Sequence, residues 1–569
     1  MAVKWQRLIL LAGALLALGA SARARVAVQK ATLWHGGPII TMDGSRPKLV
    51  EAVVERGGKI VFTGPLAKAR MAAGPRAVDR NLDGKTLLPG FIDAHSHFGL
   101  ALQLAGGIDL AGSEIERPRS IPALLATLQS EVARRGIAKG DWVIAWRYDQ
   151  DQLTEKRHVT RDELDAALPD HKVVLLHFTM HGLVANSPSL NAFKVSEQSP
   201  VPAGGVMTRM PDGRYSGLMF ETAMYAYAVP ALPKPTQEQR LAALEVAQNN
   251  YAREGYTHVQ EGATQPADLA FLTSDAAKAR MKLDLALLPY WEQVDALIAR
   301  DDVHFGQYDR HVKLQGIKFV LDGSPQARTG WFTRDYALGS PDGKHPWHGQ
   351  PVIDERQFGA LAGKVHAKGW QLFVHANGDA AIDMAIRTFD KLGIRSADNR
   401  RPVVIHSQFQ RADHLPAYAR IGVAPAYFTS HTLYFADIHR QNFPPAVVDF
   451  ISPMRAARRA GLHPSNHTDF PVTPLDVMTM LWSSMERTSQ TGVVSGAAQR
   501  LTAYEALQAI TTDAAWQISE ENRKGRIAPG LLADFVVLDG NPLVIQRRDL
   551  RSIRVVETVK EGRTVWRSH

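Results

Sequence analysis

Two histidines two residues apart, His95 and His97, close the run LLPGFIDAHSH. In an extended strand residues i and i+2 face the same side, so both imidazoles can reach one metal ion. Further on, Lys318 sits inside the apolar run GIKFVLDG, His375 ends QLFVH, His406 ends PVVIH, and Asp469 follows HPSNHT. A charged amine inside an apolar run is unfavourable unless it is paired or modified. A single histidine after an apolar run is ordinarily a hydrogen-bonded structural residue. The ordered set of two histidines, a lysine, two more histidines and an aspartate, each after a β-like run, is instead a metal-ligand pattern suited to activating water. The chain has no cysteine. Thiol catalysis, thiolate ligands and disulfides are therefore excluded, and any metal is left to His, carboxylate or modified Lys.

Positioning these groups requires short strands that all end on one side. FIDAHSH, THVQEGA, LDLALLPY, IKFVLDG, QLFVHAN, PVVIHSQ, GVAPAYF and HPSNHTD alternate with helical stretches. Eight such units predict an α/β fold, a TIM (β/α)8 barrel with its catalytic groups at the C-terminal strand ends. The barrel is expected over 86–100 and 251–524. Two more β-like runs, DWVIAWRYD and VVLLHFT, fall between the first and second strands. Residues 101–250 therefore read as an insertion after barrel strand 1 that covers the active site. Glycine-punctuated β runs over 26–85, and again over 525–569, predict a small β-sandwich domain built from both termini.

Lys4 and Arg7, the apolar run Leu8 to Ala20, and Ala20-Ser21-Ala22 have the order of a secretory signal peptide over 1–22. A periplasmic or secreted protein is expected, with no membrane association after cleavage. The absence of cysteine is compatible with that compartment. Of 569 residues 45% are hydrophobic and 22% charged, an ordinary globular balance. The formal net charge is +9, part of it in the leader, and Lys and Arg are otherwise scattered without interleaved aromatics. Nucleic-acid binding is not expected.

LLPGFIDAHSH, IKFVLDGS, FVHANGD, VVIHSQ and HTDFPVTPL, together with RKGRIAPGLLADFVVLDGNPL near the end, resemble the amidohydrolase superfamily. They are most similar to its YtcJ-like metal-dependent hydrolases, the group of N-substituted formamide deformylase. The resemblance runs from about residue 30 to the end. It implies that His95, His97 and Asp469 hold one metal, that Lys318 carboxylated by carbon dioxide bridges two, and that His375 and His406 hold the second. Zn²⁺ suits such a set, and a carbamate would turn the awkward ammonium into an anionic oxygen ligand. An unmodified Lys318 beside a single metal is the other reading, so metal number stays open. Asp469 would carry the proton from water to the leaving nitrogen. His181 and Asn186, in MHGLVANS, fall where similar proteins present a His and an Asn to the pocket, and His181 would help stabilise the tetrahedral intermediate.

Other candidates are softer. Arg328 could bind an oxyanion or a substrate carboxylate, or pair within its loop. Tyr148 and Asp149 line either the pocket or a folded loop, and Trp331 either packs or walls the pocket. Glu261 reads as a structural hydrogen-bonding group. His467 stands where relatives commonly have a small residue, and it could meet substrate, join the network of Asp469 or simply pack.

The expected activity is hydrolysis of a non-peptide C–N bond, an N-acyl or N-formyl amide of a small molecule. A lactonase or phosphotriesterase could use the same site, and a secreted binding protein on an inactive scaffold is the alternative outside enzymology. Deamination is disfavoured, because His375 is followed by Ala-Asn-Gly-Asp without a proton-shuttling glutamate. Homo-oligomers are common among similar proteins.

Overall fold

The computed structural model describes residues 30–111, 117–178, 182–202, 205–340 and 344–568. The leader expected over 1–22 lies outside them, as does His181. No helix among the described residues is long and apolar enough to cross a membrane.

All eight expected strands form. They are β1 (Phe91–Ile92), β2 (Tyr256–Thr264), β3 (Asp284–Pro289), β4 (Gly316–Val320), β5 (Gln371–Ala376), β6 (Val403–His406), β7 (Ala424–Tyr427) and β8 (Ser465–Asn466). They are largely buried on both faces, as parallel strands covered by helices must be, with polar side chains confined mostly to β2, β8 and the strand ends. The ladder differs from a continuous closed barrel. β1, β2 and β3 pair in parallel in one arc, and β4 to β8 in parallel in a second. A single bridge, Tyr290 to Lys318, joins β3 to β4. At the other seam β1 and β8 are two residues long, too short to ladder. The residues just beyond them are stapled instead: Asp469 N–H donates to the His95 carbonyl at 3.1 Å, and His97 N–H to the Phe470 carbonyl at 2.9 Å.

Register is what gathers the chemistry. Val320 pairs with His375, Ala376 with His406, His406 with Tyr427, and Tyr427 with Asn466. The polar ends of β4 to β8 therefore lie at one height. Between the strands, Leu288, Phe373, Val403, Ile405, Ala424 and Ala426 fill the interior. Helices Glu355–Ala367, Asp379–Lys391 and His414–Ile421 follow their strands and bury apolar faces in a second cluster, against Leu372, Val374 and Val404 on the strands' other side. The first of them starts where the Asp354 side chain accepts from Gln357 N–H, a standard N-cap.

Between β1 and β2 the chain builds a separate six-stranded sheet. Ile108–Asp109, Trp142–Tyr148 and Lys172–His177 pair in parallel, and Gly182–Ala185, Tyr215–Glu221 and Gly205–Arg209 complete it antiparallel. It has apolar clusters of its own on either face. At the other pole, strands from residues 31–89 and 535–567 share one eight-stranded sheet. The expected two-sheet sandwich is corrected here: one sheet curls until its edge strand Lys59–Gly64 meets residues 530–533, with Ile60 N–H bonded to the Leu531 carbonyl at 2.9 Å. Trp34, Ile39, Leu87, Phe535 and Val559 pack inside the curl.

Candidate metal centre

His95 and His97 leave β1, Lys318 lies within β4, His375 and His406 end β5 and β6, and Asp469 follows β8. These six converge. Nε2 of His97 and of His95 stand 3.3 and 3.6 Å from Asp469 Oδ1. Ligand atoms of His95, His406 and Asp469 all lie within 4.8 Å of one another. Lys318 Nζ is 3.1 Å from His95 Nε2, and the rings of His375 and His406 lie 4.6 Å apart between centroids. Oδ1 of Asp469 is buried and has no aligned hydrogen bond among the described residues, despite two imidazoles beside it. Buried polar atoms are almost always satisfied. A carboxylate oxygen left this way, with imidazole nitrogens aimed at the same space, fits a divalent cation bound by nitrogen and oxygen donors.

The electrostatics favour the ligating protonation states. Burial, with Lys318 nearby, holds the His95 imidazole well below its usual range, and burial with His375 nearby does the same for His406. Burial and then Lys318 push His375 down to about 3. Burial pushes the Asp469 carboxyl up, but contact with His97 and the charges of His467 and Lys318 outweigh it and hold it below the ordinary carboxylate range. Burial brings Lys318 down to about 7, which makes the neutral amine accessible near neutrality.

Two of the converging residues carry unusual backbone. His406 has φ +67° and Asp469 φ +53°, a left-handed region that side chains other than glycine rarely occupy. Each costs on the order of 1–3 kcal/mol and persists where the surroundings over-determine it. For Asp469 they do: its N–H bonds His95, its carbonyl accepts Val472 N–H at 2.8 Å, and the preceding Thr468 hydroxyl donates to Asp93 at 2.7 Å.

A supporting ring of residues went unread in the sequence. Gln260 Oε1 accepts from His95 Nδ1 at 3.0 Å, which leaves Nε2 as the ligating nitrogen. Asp322 accepts from the backbone N–H of Trp331, Asn377 and Gly378 and faces His375 Nδ1 at 3.5 Å. Asp93, His431 and His439 are fully buried beside the cluster. The available signal was a polar side chain inside a buried β run, as in THVQEGA and FIDAHSH.

The remaining candidates separate. His467 belongs to the cluster: its Nε2 lies 3.2 Å from His406 Nδ1, and its ring stacks on Phe428. Asn186 is a correction, because its amide is spent on structure. It caps helix Ser187–Ala192, accepts from Val173 and Ser189 N–H and donates to the His171 carbonyl. Arg328 donates to the Leu338 carbonyl at 2.9 Å within its own loop. Trp331 packs against the barrel core. Tyr148 is buried in the insertion, bonded to His158 and packed on His177. Glu261 takes the structural part expected of it, accepting from Gly99 and Ala263 N–H.

The fold and this histidine–aspartate cluster define a class, and the comparisons agree. The model of the Amidohydrolase family matches residues 80–566, and the chain belongs to that family. It is similar to the amidohydrolase YtcJ of Bacillus subtilis (strain 168), 26% identical over 94% of this chain and 99% of that one. It is also similar to the N-substituted formamide deformylase of Arthrobacter pascens, 24% identical over 91% of this chain and 95% of that one. Among solved structures, an uncharacterized metal-dependent hydrolase from Pyrococcus horikoshii OT3 superposes with a TM-score of 0.72 at 22% identity, covering 91% of this chain and 99% of that one.

Proposed function

We propose that the protein is a zinc-dependent hydrolase that cleaves a non-peptide C–N bond, an N-formyl or N-acyl amide of a small molecule. The observation that carries this is the convergence of His95, His406 and Asp469, with His97 Nε2 3.3 Å from Asp469 Oδ1 and that oxygen buried and unsatisfied among the described residues. The similarity to a formamide deformylase supports the choice of bond. His95, His97 and Asp469 would hold one ion, and His375 and His406 a second. Lys318 is buried beside His95, and its neutral amine would add carbon dioxide with loss of one proton to give an anionic carbamate able to hold a cation there.

A divalent cation bound there supplies a Lewis acid and lowers the pKa of water toward neutrality. The protein's own groups do the rest. Gln260 fixes the tautomer of His95. Asp469, held ionised, accepts the proton of the attacking water and returns it to the nitrogen of the departing amine, so the C–N bond breaks without net proton change. His467, against His406, is a positioning residue for that ligand.

Asp469→Asn tests the proton role. Turnover of N-formyl amines should fall by about 10²–10⁴-fold, with the far-ultraviolet spectrum unchanged. Near-wild-type kcat in that variant would overturn the mechanism.

A further inference from the structure

The insertion brings two arginines to the segment that follows Asp469. Arg147, in strand Trp142–Tyr148, is 4% exposed. Its Nε and Nη2 donate to Asp109 at 2.8 and 2.5 Å, whereas Nη1 is buried with no hydrogen-bond partner among the described residues. The guanidinium lies 5.7 Å from the centre of the Phe470 ring, the residue next to Asp469. Arg117 joins Arg147 around one small cavity, whose far wall is Tyr434, Phe435, Val472 and Thr473. No hydrogen bond or ion pair reaches the Arg117 side chain among the described residues.

That cavity adjoins the metal centre. Val472 N–H bonds the Asp469 carbonyl. Phe435 packs on His431 at 5.2 Å, and the His431 ring lies parallel to that of His406 at 6.3 Å. The cavity and the cluster thus have the segment after Asp469 and the Phe435–His431 contact between them as a shared wall. Among the described residues, three guanidiniums, those of Arg117, Arg147 and the nearby Arg119, stand with two carboxylates, those of Asp109 and Asp149. Burial, and then Arg147, hold the Arg117 guanidinium below its usual range, against the opposing pull of Tyr434 and Asp149. At about 40 Å³ the cavity has room for a few water-sized atoms. An unspent Nη1 beside a second guanidinium matches the two oxygens of a carboxylate.

We propose that this cavity receives a carboxylate of the substrate, so that the bond cleaved belongs to an N-acylated amino acid or a similar carboxylate-bearing amide. This rests on the hydrolase assignment above and narrows it. The role that the sequence offered to Arg328 passes to Arg117 and Arg147.

The test is calorimetric binding of N-benzoylglycine and of its uncharged amide, N-benzoylglycinamide, to the purified protein. The acid should bind at least about tenfold more tightly than the amide, the scale of one charge-assisted contact. Arg117→Gln should erase that preference, and Arg147→Lys, which keeps a cation for Asp109, should weaken it. Equal binding of the two compounds, or no binding of the acid, would overturn the proposal. So would a preference that survives both substitutions, because the carboxylate would then sit on the metal. Hydrolysis of the same two compounds is followed in parallel. Acid preference with no turnover of these compounds or of N-formyl amines would refute the hydrolase assignment and leave the carboxylate site standing.

Discussion

Gly262, in β2, is where one methyl group should cost the protein its metal. A Cβ built there would lie 2.1 Å from His95 Cε1, 2.7 Å from His95 Nδ1 and 2.9 Å from the Ser96 carbonyl oxygen. Ordinary contact begins near 3.4 Å, so the imidazole would have to retreat by about 1 Å. The ring has nowhere to go. It is fully buried, tied to Gln260 on one side and against Lys318 on the other. Zinc–nitrogen bonds are about 2.0–2.1 Å and tolerate about 0.2 Å. A displacement several times larger removes His95 as a ligand. Gly262→Ala should therefore lower metal affinity by at least about 100-fold, the upper end of what disturbing a ligand's support does. kcat/KM should fall in proportion at limiting metal. The assay is metal content by elemental analysis after dialysis against a graded zinc buffer, with thermal unfolding as the control for folding. Wild-type metal content and turnover in Gly262→Ala would refute the placement of His95.

Three further outcomes are expected. Gln260→Leu removes the acceptor that fixes the His95 tautomer and should weaken metal binding by about 10–100-fold; a competitive chelator titration reads it, and unchanged affinity would show that the hydrogen bond does not orient the ligand. Glu520→Gln strips the carboxylate paired with buried Lys313 and one of the two paired with buried Lys524, the other being Asp284, and should cost about 3–5 kcal/mol. Burial pushes Glu520 up, but Lys524 and Lys313 outweigh it and hold it below the carboxylate range. Its contribution is therefore full at neutral pH and lost as the pH falls through that lowered value, so the gap in melting temperature between wild type and variant should narrow in acid. A gap independent of pH would mean that the loss is one of packing. Bound metal should also raise the melting temperature as its concentration increases, since it binds only the folded cluster; a melting temperature insensitive to zinc would argue against that.

Much of the centre was legible because the chemistry conflicts with its surroundings. His95 and His97 two apart, Lys318 inside an apolar run and Asp469 after β8 each break a local rule, and such breaks mark functional sites. Pairing partners left no comparable mark. The one-sheet curl depends on which strand lies beside Lys59–Gly64, and the open seam follows from how short β1 and β8 are. Neither is written in a local pattern. Asn186 bonds the neighbouring strand and caps a helix, and Arg328 bonds the Leu338 carbonyl, partners that spacing does not reveal. Arg117 and Arg147 look like any surface arginine until the insertion brings both to the cavity that Val472 and Thr473 also line.

The most direct test of the central claim is the metal content of the purified protein, measured with turnover of an N-formyl amine before and after chelation. At least one equivalent of transition metal is expected, about two if carboxylated Lys318 bridges, with activity lost on stripping and restored by zinc. Less than a tenth of an equivalent, with turnover that neither needs nor responds to added metal, would contradict the assignment of this histidine–aspartate cluster.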